Sequence, residues 1–325
     1  MGEKVIDRLA TSNERSLERP GFKRWVAGSM AGAILTLLLG GAGPAQAQQL
    51  EPRAYSPAPV DLNIFGFAYY YTTGNTLTDP TAPVQNLHSR IDMVTPYYGR
   101  TFGFFGRQAS LTAAVPVADA EVTGDVFDRG KSIDRTGLCD PIVRFAMNLI
   151  GGPAMKAEEF FKRAPETTLG MSVVVNVPVG QYDKEKLINL GTNRWAVKPE
   201  LGLSHPVGNW SFEVYAGVWL FEANDEYFGG KVRRQDPLQS YQAHIVYELR
   251  QHLWLALDYT YFVGGETSLN GVDQHDRTDN SRAGATISFP VGKGQSLKAT
   301  WARGVSTRVG SDFETLGAAW QVTWF

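Results

Sequence analysis

Ionisable side chains occur at every second position in several segments of the 325-residue chain, and this spacing places them on one face of an extended strand. Lys198 and Glu200 are the clearest pair, because they alternate with apolar residues throughout 195–203. Charges in such a row could line a polar lumen. The same alternation gives the candidate lumen residues as Arg90, Asp92, Arg144, Lys198, Glu200, Glu213, His244, Glu248, Asp258, Arg282 and Lys298.

These candidate charges have mixed signs, which argues against a strongly ion-selective pore. Two interpretations remain open at this level. The charges either line a passive pathway for small solutes or form a salt-bridged plug that stabilises a closed structure. The whole chain has a formal net charge of −2, so we expect no nucleic-acid partner.

Catalytic patterns are missing from the sequence. The five histidines are scattered without metal-ligand spacing, and neither a phosphate-binding loop nor a nucleophile elbow occurs. The relevant enzyme alternative is an outer-membrane phospholipase, which would need Ser and His on the lipid face, whereas His244 falls on the lumen face. We therefore expect no enzymatic activity, no metal and no cofactor.

The elements that carry these side chains are alternating segments of about 10 to 14 residues. In lipid, a sheet must close on itself to pair its backbone, with one apolar face and one polar face. We predict an all-β transmembrane antiparallel barrel of twelve strands; ten or fourteen strands also fit the weak signals, and a soluble β-sandwich is the rival fold. The predicted strands are 60–72, 89–101, 108–119, 140–150, 167–179, 194–205, 210–222, 238–250, 252–263, 281–290, 295–306 and 313–325.

The N-terminal region has the features of an export signal. Lys23 and Arg24 precede an apolar stretch that ends near Leu39, and Ala45-Gln46-Ala47 has the form of a signal-peptidase site. We predict a cleaved signal peptide over 1–47, a periplasmic lead-in over 48–59 and a barrel over 60–325, in the outer membrane of a Gram-negative cell. An uncleaved anchor is the alternative.

The last strand ends in Trp324 and the aromatic C-terminal residue Phe325. Barrels carry apolar residues at the last position and at every second one before it, but here the apolar set is offset by one residue. We still expect outer-membrane lipid and the barrel-assembly machinery as partners.

The central part of the chain resembles the outer-membrane transporter family named for the MetA pathway of phenol degradation. The resemblance lies in 136–141, where Cys139 replaces the usual Gly, in 177–183, in 187–195 leading into 198–200, and in 306–313. It implies a β-barrel with a transport role linked to aromatic catabolism, without catalytic residues.

The 187–195 element should lie in a long outside loop, where Asn189, Asn193 and Arg194 could order the pore mouth. Ordinary turn chemistry is an equal alternative for this element. The expected function is passive uptake of small molecules, aromatic or hydrophobic solutes among them. The alternative is a non-conducting structural or adhesive barrel with a salt-bridged lumen.

Overall fold

The computed structural model describes residues 50–77, 84–126, 129–250 and 252–325. The signal peptide predicted over 1–47 lies outside these residues. Within the described segments, no helix is both long and apolar enough to cross a bilayer. The one helix among the described residues is α1 (Ala157–Phe160). The strands are β1 (Asn63–Leu77), β2 (Val84–Phe104), β3 (Arg107–Ala114), β4 (Val117–Val126), β5 (Arg129–Leu138), β6 (Ile142–Ile150), β7 (Thr168–Asn176), β8 (Ala196–Val207), β9 (Trp210–Phe221), β10 (Asn224–Tyr227), β11 (Lys231–Gln235), β12 (Leu238–Arg250), β13 (Leu253–Gly264), β14 (Thr267–Leu269), β15 (Val272–Asp273), β16 (Thr278–Gly292), β17 (Gln295–Thr307) and β18 (Gly310–Trp324).

Twelve strands form a closed antiparallel barrel, as predicted. They are β1, β2, β3, β6, β7, β8, β9, β12, β13, β16, β17 and β18, and each pairs with its neighbours along the chain. The barrel closes because β1 pairs on one edge with β2 and on the other with β18. Closure removes the free sheet edges that a membrane would not tolerate.

The two faces of the wall differ in the way a lipid-embedded barrel requires. On β13, Leu255 and Leu257 point outward and are 40% and 66% exposed, whereas Asp258 and Thr260 point inward and are buried. Leu316, Ala318 and Trp324 of the last strand also lie on the outer face. The alternation in the sequence is therefore a true inside–outside pattern in these strands.

One part of the wall is taller than the sequence indicated. The 21-residue β2 pairs with β3 over its second half and with β4 over its first half. Pro116 separates β3 from β4, and its carbonyl accepts a bond of 2.9 Å from the Cys139 amide across the gap between β5 and β6. A proline cannot donate a hydrogen bond to a ladder, so Pro116 interrupts the strand direction between β3 and β4. The β4–β5 hairpin therefore extends the β3–β6 pair beyond the barrel.

A second, four-stranded sheet lies at the barrel end opposite the chain's C-terminus. It has the order β10-β11-β14-β15 and is built from the two polar connections 222–237 and 265–277. Their pairing gives the mouth of the barrel a fixed cover at this side.

Candidate functional site in the barrel lumen

Residues 50–62 are hereafter the lumen segment, and residues 51–55 of it contact inward-facing side chains of the barrel wall. The sequence predicted a periplasmic lead-in over 48–59, whereas these contacts place 51–55 within the barrel. The segment leads into β1, and Thr101 of β2 holds it at this point. The Thr101 hydroxyl donates to the Pro59 carbonyl at 2.6 Å, and the Thr101 amide donates to the Leu62 carbonyl at 2.9 Å. Its short polar stretch gave no alternating pattern, which is why its position could not be inferred from the sequence.

Tyr55 is the largest buried side chain of the lumen segment and is 2% exposed. Its ring lies over Gly170 of β7 and Gly202 of β8, which face each other in the sheet. A Cβ atom added at Gly170 would lie 2.2 Å from the ring, and one at Gly202 would lie 2.1 Å from it. Only glycine at these two wall positions leaves room for the aromatic ring.

The Tyr55 hydroxyl is held by the same two strands. It lies 2.9 Å from Ser172 Oγ and donates to Glu200 Oε1 at 2.9 Å. The Tyr55 ring packs edge-on against the Tyr215 ring, with centroids 5.0 Å apart. The guanidinium group of Arg144, on β6, lies 5.1 Å from the Tyr55 ring centroid. Packing and hydrogen bonds therefore fix this side chain together.

The segment's backbone is bound to inward-facing side chains of β9 and β12. The amides of Glu51, Arg53 and Ala54 donate to Gln242 Oε1 at 3.2 Å, Glu213 Oε2 at 2.6 Å and the Tyr215 hydroxyl at 3.1 Å respectively. An irregular backbone inside a barrel needs such partners, because no ladder satisfies it. The lumen side chains thus replace the hydrogen bonds that a strand would have made.

The lumen charges occur mainly as compensated pairs. Lys198 Nζ lies 2.9 Å from Glu200 Oε2, and both residues are less than 5% exposed. The Glu51 carboxylate is also buried, and the nearest charges that act on it are those of Lys198, Glu200 and Arg144. Lys198 and Arg144 supply the positive charge near the Glu51 carboxylate, whose two oxygens have no hydrogen-bond partner among the described residues.

A second group of polar side chains lies on the opposite wall. His244 Nδ1 lies 2.7 Å from Asp258 Oδ1, and Thr286 donates to Asp258 Oδ2 at 2.9 Å. Lys298 is buried on the neighbouring β17, where the charges of Asp258 and Glu51 act on it. Among the described residues, no group of His, Cys, Asp or Glu side chains is arranged to hold a metal ion.

Nine of the eleven candidate lumen residues face inward. Besides those described above, Glu213 accepts from Ser204 and Tyr215, and Glu248 forms an ion pair of 3.8 Å with Arg53. Arg282 donates to the Phe313 carbonyl at 3.1 Å. The inward set is Arg144, Lys198, Glu200, Glu213, His244, Glu248, Asp258, Arg282 and Lys298.

Arg90 and Asp92 were wrongly assigned to the lumen. Both lie on the outer face of β2 and form an ion pair of 3.7 Å, and Asp92 also accepts from the Tyr69 hydroxyl at 2.5 Å. The inward residues at this level are Ile91 and Met93. The assignment failed because this part of the barrel has an apolar interior, so the polar face of the strand is the outer one.

The three mouth candidates order the connection between β7 and β8. The Asn189 side chain accepts from the Asp183 amide at 2.9 Å and donates to the carbonyls of Asp183 and Lys186. Asn193 has a φ of 51° and donates to Asn224 Oδ1 at 3.2 Å, so it combines turn chemistry with a bond to the covering sheet. Arg194 is 6% exposed and donates to Gln235.

Asp140 is an anchor of this connection that sequence reasoning missed. Its side chain accepts from the Gly180 amide at 3.0 Å, the Thr192 amide at 2.8 Å and the Thr192 hydroxyl at 2.6 Å. The Asp-Pro dipeptide had been interpreted as a strand start, and β6 indeed begins at Ile142. The signal that could have identified the anchor is a charged residue at a position where the wall is interrupted.

Two cavities lie inside the described part of the barrel. One of about 280 Å³ is at the end nearer the chain's C-terminus, and Arg53 of the lumen segment, Phe160 and Glu248 are among its walls. The other, of about 260 Å³, is at the opposite mouth, between β2, β4, the 182–192 connection and the covering sheet. The lumen segment borders the first cavity, whereas the second is lined by the wall, the connection and the covering sheet.

A closed twelve-stranded sheet with an apolar outer face and a polar, charged interior defines an outer-membrane β-barrel. The chain belongs to the family described as "Putative MetA-pathway of phenol degradation", whose model matches residues 70–322. No curated protein matches the chain in sequence.

Two solved structures are similar to the chain, and the first of them has the same fold. The COG4313 outer membrane channel from Pseudomonas putida F1 is 18% identical, with a TM-score of 0.74 over 85% of this chain and 100% of that one. The β domain of the Bordetella autotransporter BrkA is 12% identical, with a TM-score of 0.49 over 81% of this chain and 100% of that one.

Proposed function

We propose that this protein is an outer-membrane channel for passive uptake of small molecules, and that the lumen segment closes its pathway at rest. The observation that carries the proposal is the position of residues 51–55 inside the barrel, where they are bound to inward-facing side chains of β9 and β12 and border a cavity of about 280 Å³. The segment is held there by hydrogen bonds and packing. Displacing it would widen the lumen at this height.

The side chains of the interior suit an open pathway for solutes as well as a lumen that is closed by the segment. Inward side chains of both signs surround the segment, so a solute or water would meet hydrogen-bonding partners at this height. Mixed charge favours neither cations nor anions strongly. A barrel of twelve strands is narrow enough for one short segment to fill.

The solutes that we propose are small, with aromatic or hydrophobic ones among them. The family description names phenol degradation, and the Pseudomonas putida protein of the same fold is described as an outer membrane channel. We further propose that export uses the signal peptide and that the barrel-assembly machinery inserts the chain.

The test is conductance of purified protein in planar bilayers, together with liposome uptake of an uncharged phenol. Wild type is compared with a variant in which residues 50–58 are deleted. We expect a low, fluctuating conductance for wild type and a larger, steady conductance with faster phenol uptake for the deletion variant. Heat-modifiable migration in gel electrophoresis checks that both are folded.

A non-conducting structural or adhesive barrel is the second candidate. It is favoured by one observation, the buried Lys198–Glu200 ion pair of 2.9 Å beneath Tyr55, which stabilises a filled lumen. If this alternative holds, neither the folded wild type nor the folded deletion variant will conduct or take up phenol above the rate of empty liposomes.

A further inference from the structure

The cavity at the mouth, hereafter the vestibule pocket, has two unlike sides. Its apolar side is formed by residues of β2, β4 and the connection before β8, including Ile91, Val122 and Leu187. Its polar side is formed by the connection and the covering sheet, where Tyr182 and Arg233 face the cavity. A ligand that fits both sides needs an apolar body and one polar end.

The polar side is fixed before any ligand arrives. Asn224 is 3% exposed, and its side-chain nitrogen donates to the Tyr182 hydroxyl at 3.0 Å and to the Thr192 carbonyl at 3.1 Å. The Arg233 guanidinium lies 5.6 Å from the Tyr227 ring centroid, and Arg233 pairs with Asn224 in the sheet. Stacking on an aromatic ring leaves the guanidinium edge free to donate.

Positive charge is in excess at this side. Burial and, after it, the charge of Arg233 lower the pKa of Arg194, whereas the charge of Asp140 raises it. In the part of the chain that the structure describes, neither arginine forms an ion pair with a carboxylate.

The acidic groups nearby are already engaged. Glu226 forms an ion pair of 3.6 Å with Lys184, and the oxygens of Asp140 accept three hydrogen bonds from the 180–192 connection. Arg194 is 6% exposed, and its Nη1 has no protein hydrogen-bond partner. Arg233 is the arginine that lines the pocket, and an organic anion there would be stabilised by its guanidinium group.

The size of the pocket limits the ligand. Its volume of about 260 Å³ lies below the range of roughly 300 to 1,000 Å³ that is usual for drug-sized ligands. A single aromatic ring or a short branched chain fits such a volume, whereas a fused-ring system or a long acyl chain does not.

We infer that the vestibule pocket is a binding site for small organic anions with an apolar body, of which an aromatic monocarboxylate is the simplest. The carboxylate lies against Arg233 and the ring lies against the apolar side at Leu187. This inference rests on the proposed channel function, because it names the solute class that the mouth would collect before passage.

The test is equilibrium binding of three probes to purified, detergent-folded protein by calorimetry. Benzoate carries both features, benzyl alcohol lacks the charge, and acetate lacks the apolar body. We expect saturable benzoate binding, with the other two probes weaker by about ten-fold or more, because a charged hydrogen bond and apolar burial each contribute at this scale.

Arg233→Gln should raise the benzoate Kd by about ten-fold or more. Arg234→Gln is the matched control, since Arg234 is the next residue of β11 and points to solvent; its Kd should stay within about two-fold of wild type. Leu187→Glu is a second variant from a different element, in which a carboxylate at the apolar side should also weaken benzoate binding.

The inference is overturned if benzyl alcohol binds as tightly as benzoate, if acetate does so, or if folded Arg233→Gln and Leu187→Glu both bind benzoate like wild type. Failure of the channel itself would give a different result. Uptake of uncharged phenol would then be absent, whatever the result for benzoate binding. Conversely, if the protein passes phenol but binds no benzoate, the proposed channel function stands and the proposed binding site is refuted.

Discussion

Replacing Gly202 by alanine should release the lumen segment, because the two wall glycines beneath Tyr55 leave no space for a methyl group. The added Cβ would lie 2.1 Å from the Tyr55 ring and 2.8 Å from the Tyr215 ring. Ordinary contact begins near 3.4 Å, so the Tyr55 ring must retreat by about 1.3 Å. Gly170 on the neighbouring strand prevents a sideways shift, which leaves movement into the lumen.

The cost follows from the bonds that this movement breaks. A retreat of that size cannot keep both 2.9 Å bonds of the Tyr55 hydroxyl, one to Ser172 and one to the Glu200 carboxylate. A neutral bond contributes about 0.5 to 1.5 kcal/mol and a bond to a charged group about 1.5 to 3 kcal/mol. Losing both weakens docking by about 2 to 4.5 kcal/mol, which raises the ratio of undocked to docked segment by about 30- to 2,000-fold.

Two measurements check this result. Bilayer conductance of Gly202→Ala should exceed that of wild type, and a thiol probe should label Ala54→Cys faster in the Gly202→Ala background, with Cys139 replaced by serine in both proteins. Gly99→Ala is the control, since that inward glycine of β2 would meet only the Thr112 side chain first. Unchanged labelling and conductance in a folded Gly202→Ala protein would show that Tyr55 does not hold the segment.

Three further outcomes follow from the same structure. Leu257→Arg should lower the free energy of unfolding by about 2 to 4 kcal/mol, measured by denaturant titration in lipid. Gln239→Arg, at an outward-facing position near the end of β12, should have little effect. Equal losses would mean that Leu257 does not lie at the depth assigned to it in the membrane. Asp140→Ala removes three accepted bonds and should speed amide exchange throughout 177–195, while leaving the strands protected; uniform exchange changes would argue against a local anchor. Lys198→Glu leaves buried carboxylates uncompensated, so bilayer recordings should show a larger and cation-preferring conductance; an anion preference would contradict the assigned geometry.

The barrel itself could be predicted because its wall obeys one local rule. Membrane strands alternate between lipid and lumen, and in β8, β12 and β13 the charged set and the apolar set are cleanly separated. The strand boundaries failed only where the wall departs from that rule. The segment 108–119 continues past Pro116 into β4, and polar loops pair into a second sheet.

Inward direction could not be predicted from polarity alone. Polarity identifies the lumen face only where the lumen is polar, as it is around Lys198 and Asp258. Near the mouth, Ile91, Phe313 and Leu190 form an apolar interior, so the polar face of β2 is the outer one. At this height, near the β4–β5 extension, outward charges such as Arg90 and Asp92 are better explained by solvent or lipid headgroups than by hydrocarbon.

The lumen segment was hidden from sequence reasoning for a different reason, since its partners are far apart in the chain. Tyr55 depends on Gly170 and Gly202, which are more than a hundred residues away, and glycines in a strand normally indicate weakness or a bend. Here they mark the place where a side chain from another part of the molecule approaches the backbone. An inward glycine pair on adjacent strands, facing each other across the ladder, is therefore a specific indication that something fills the barrel at that height. It is also the feature that makes the closed state sensitive to a single methyl group.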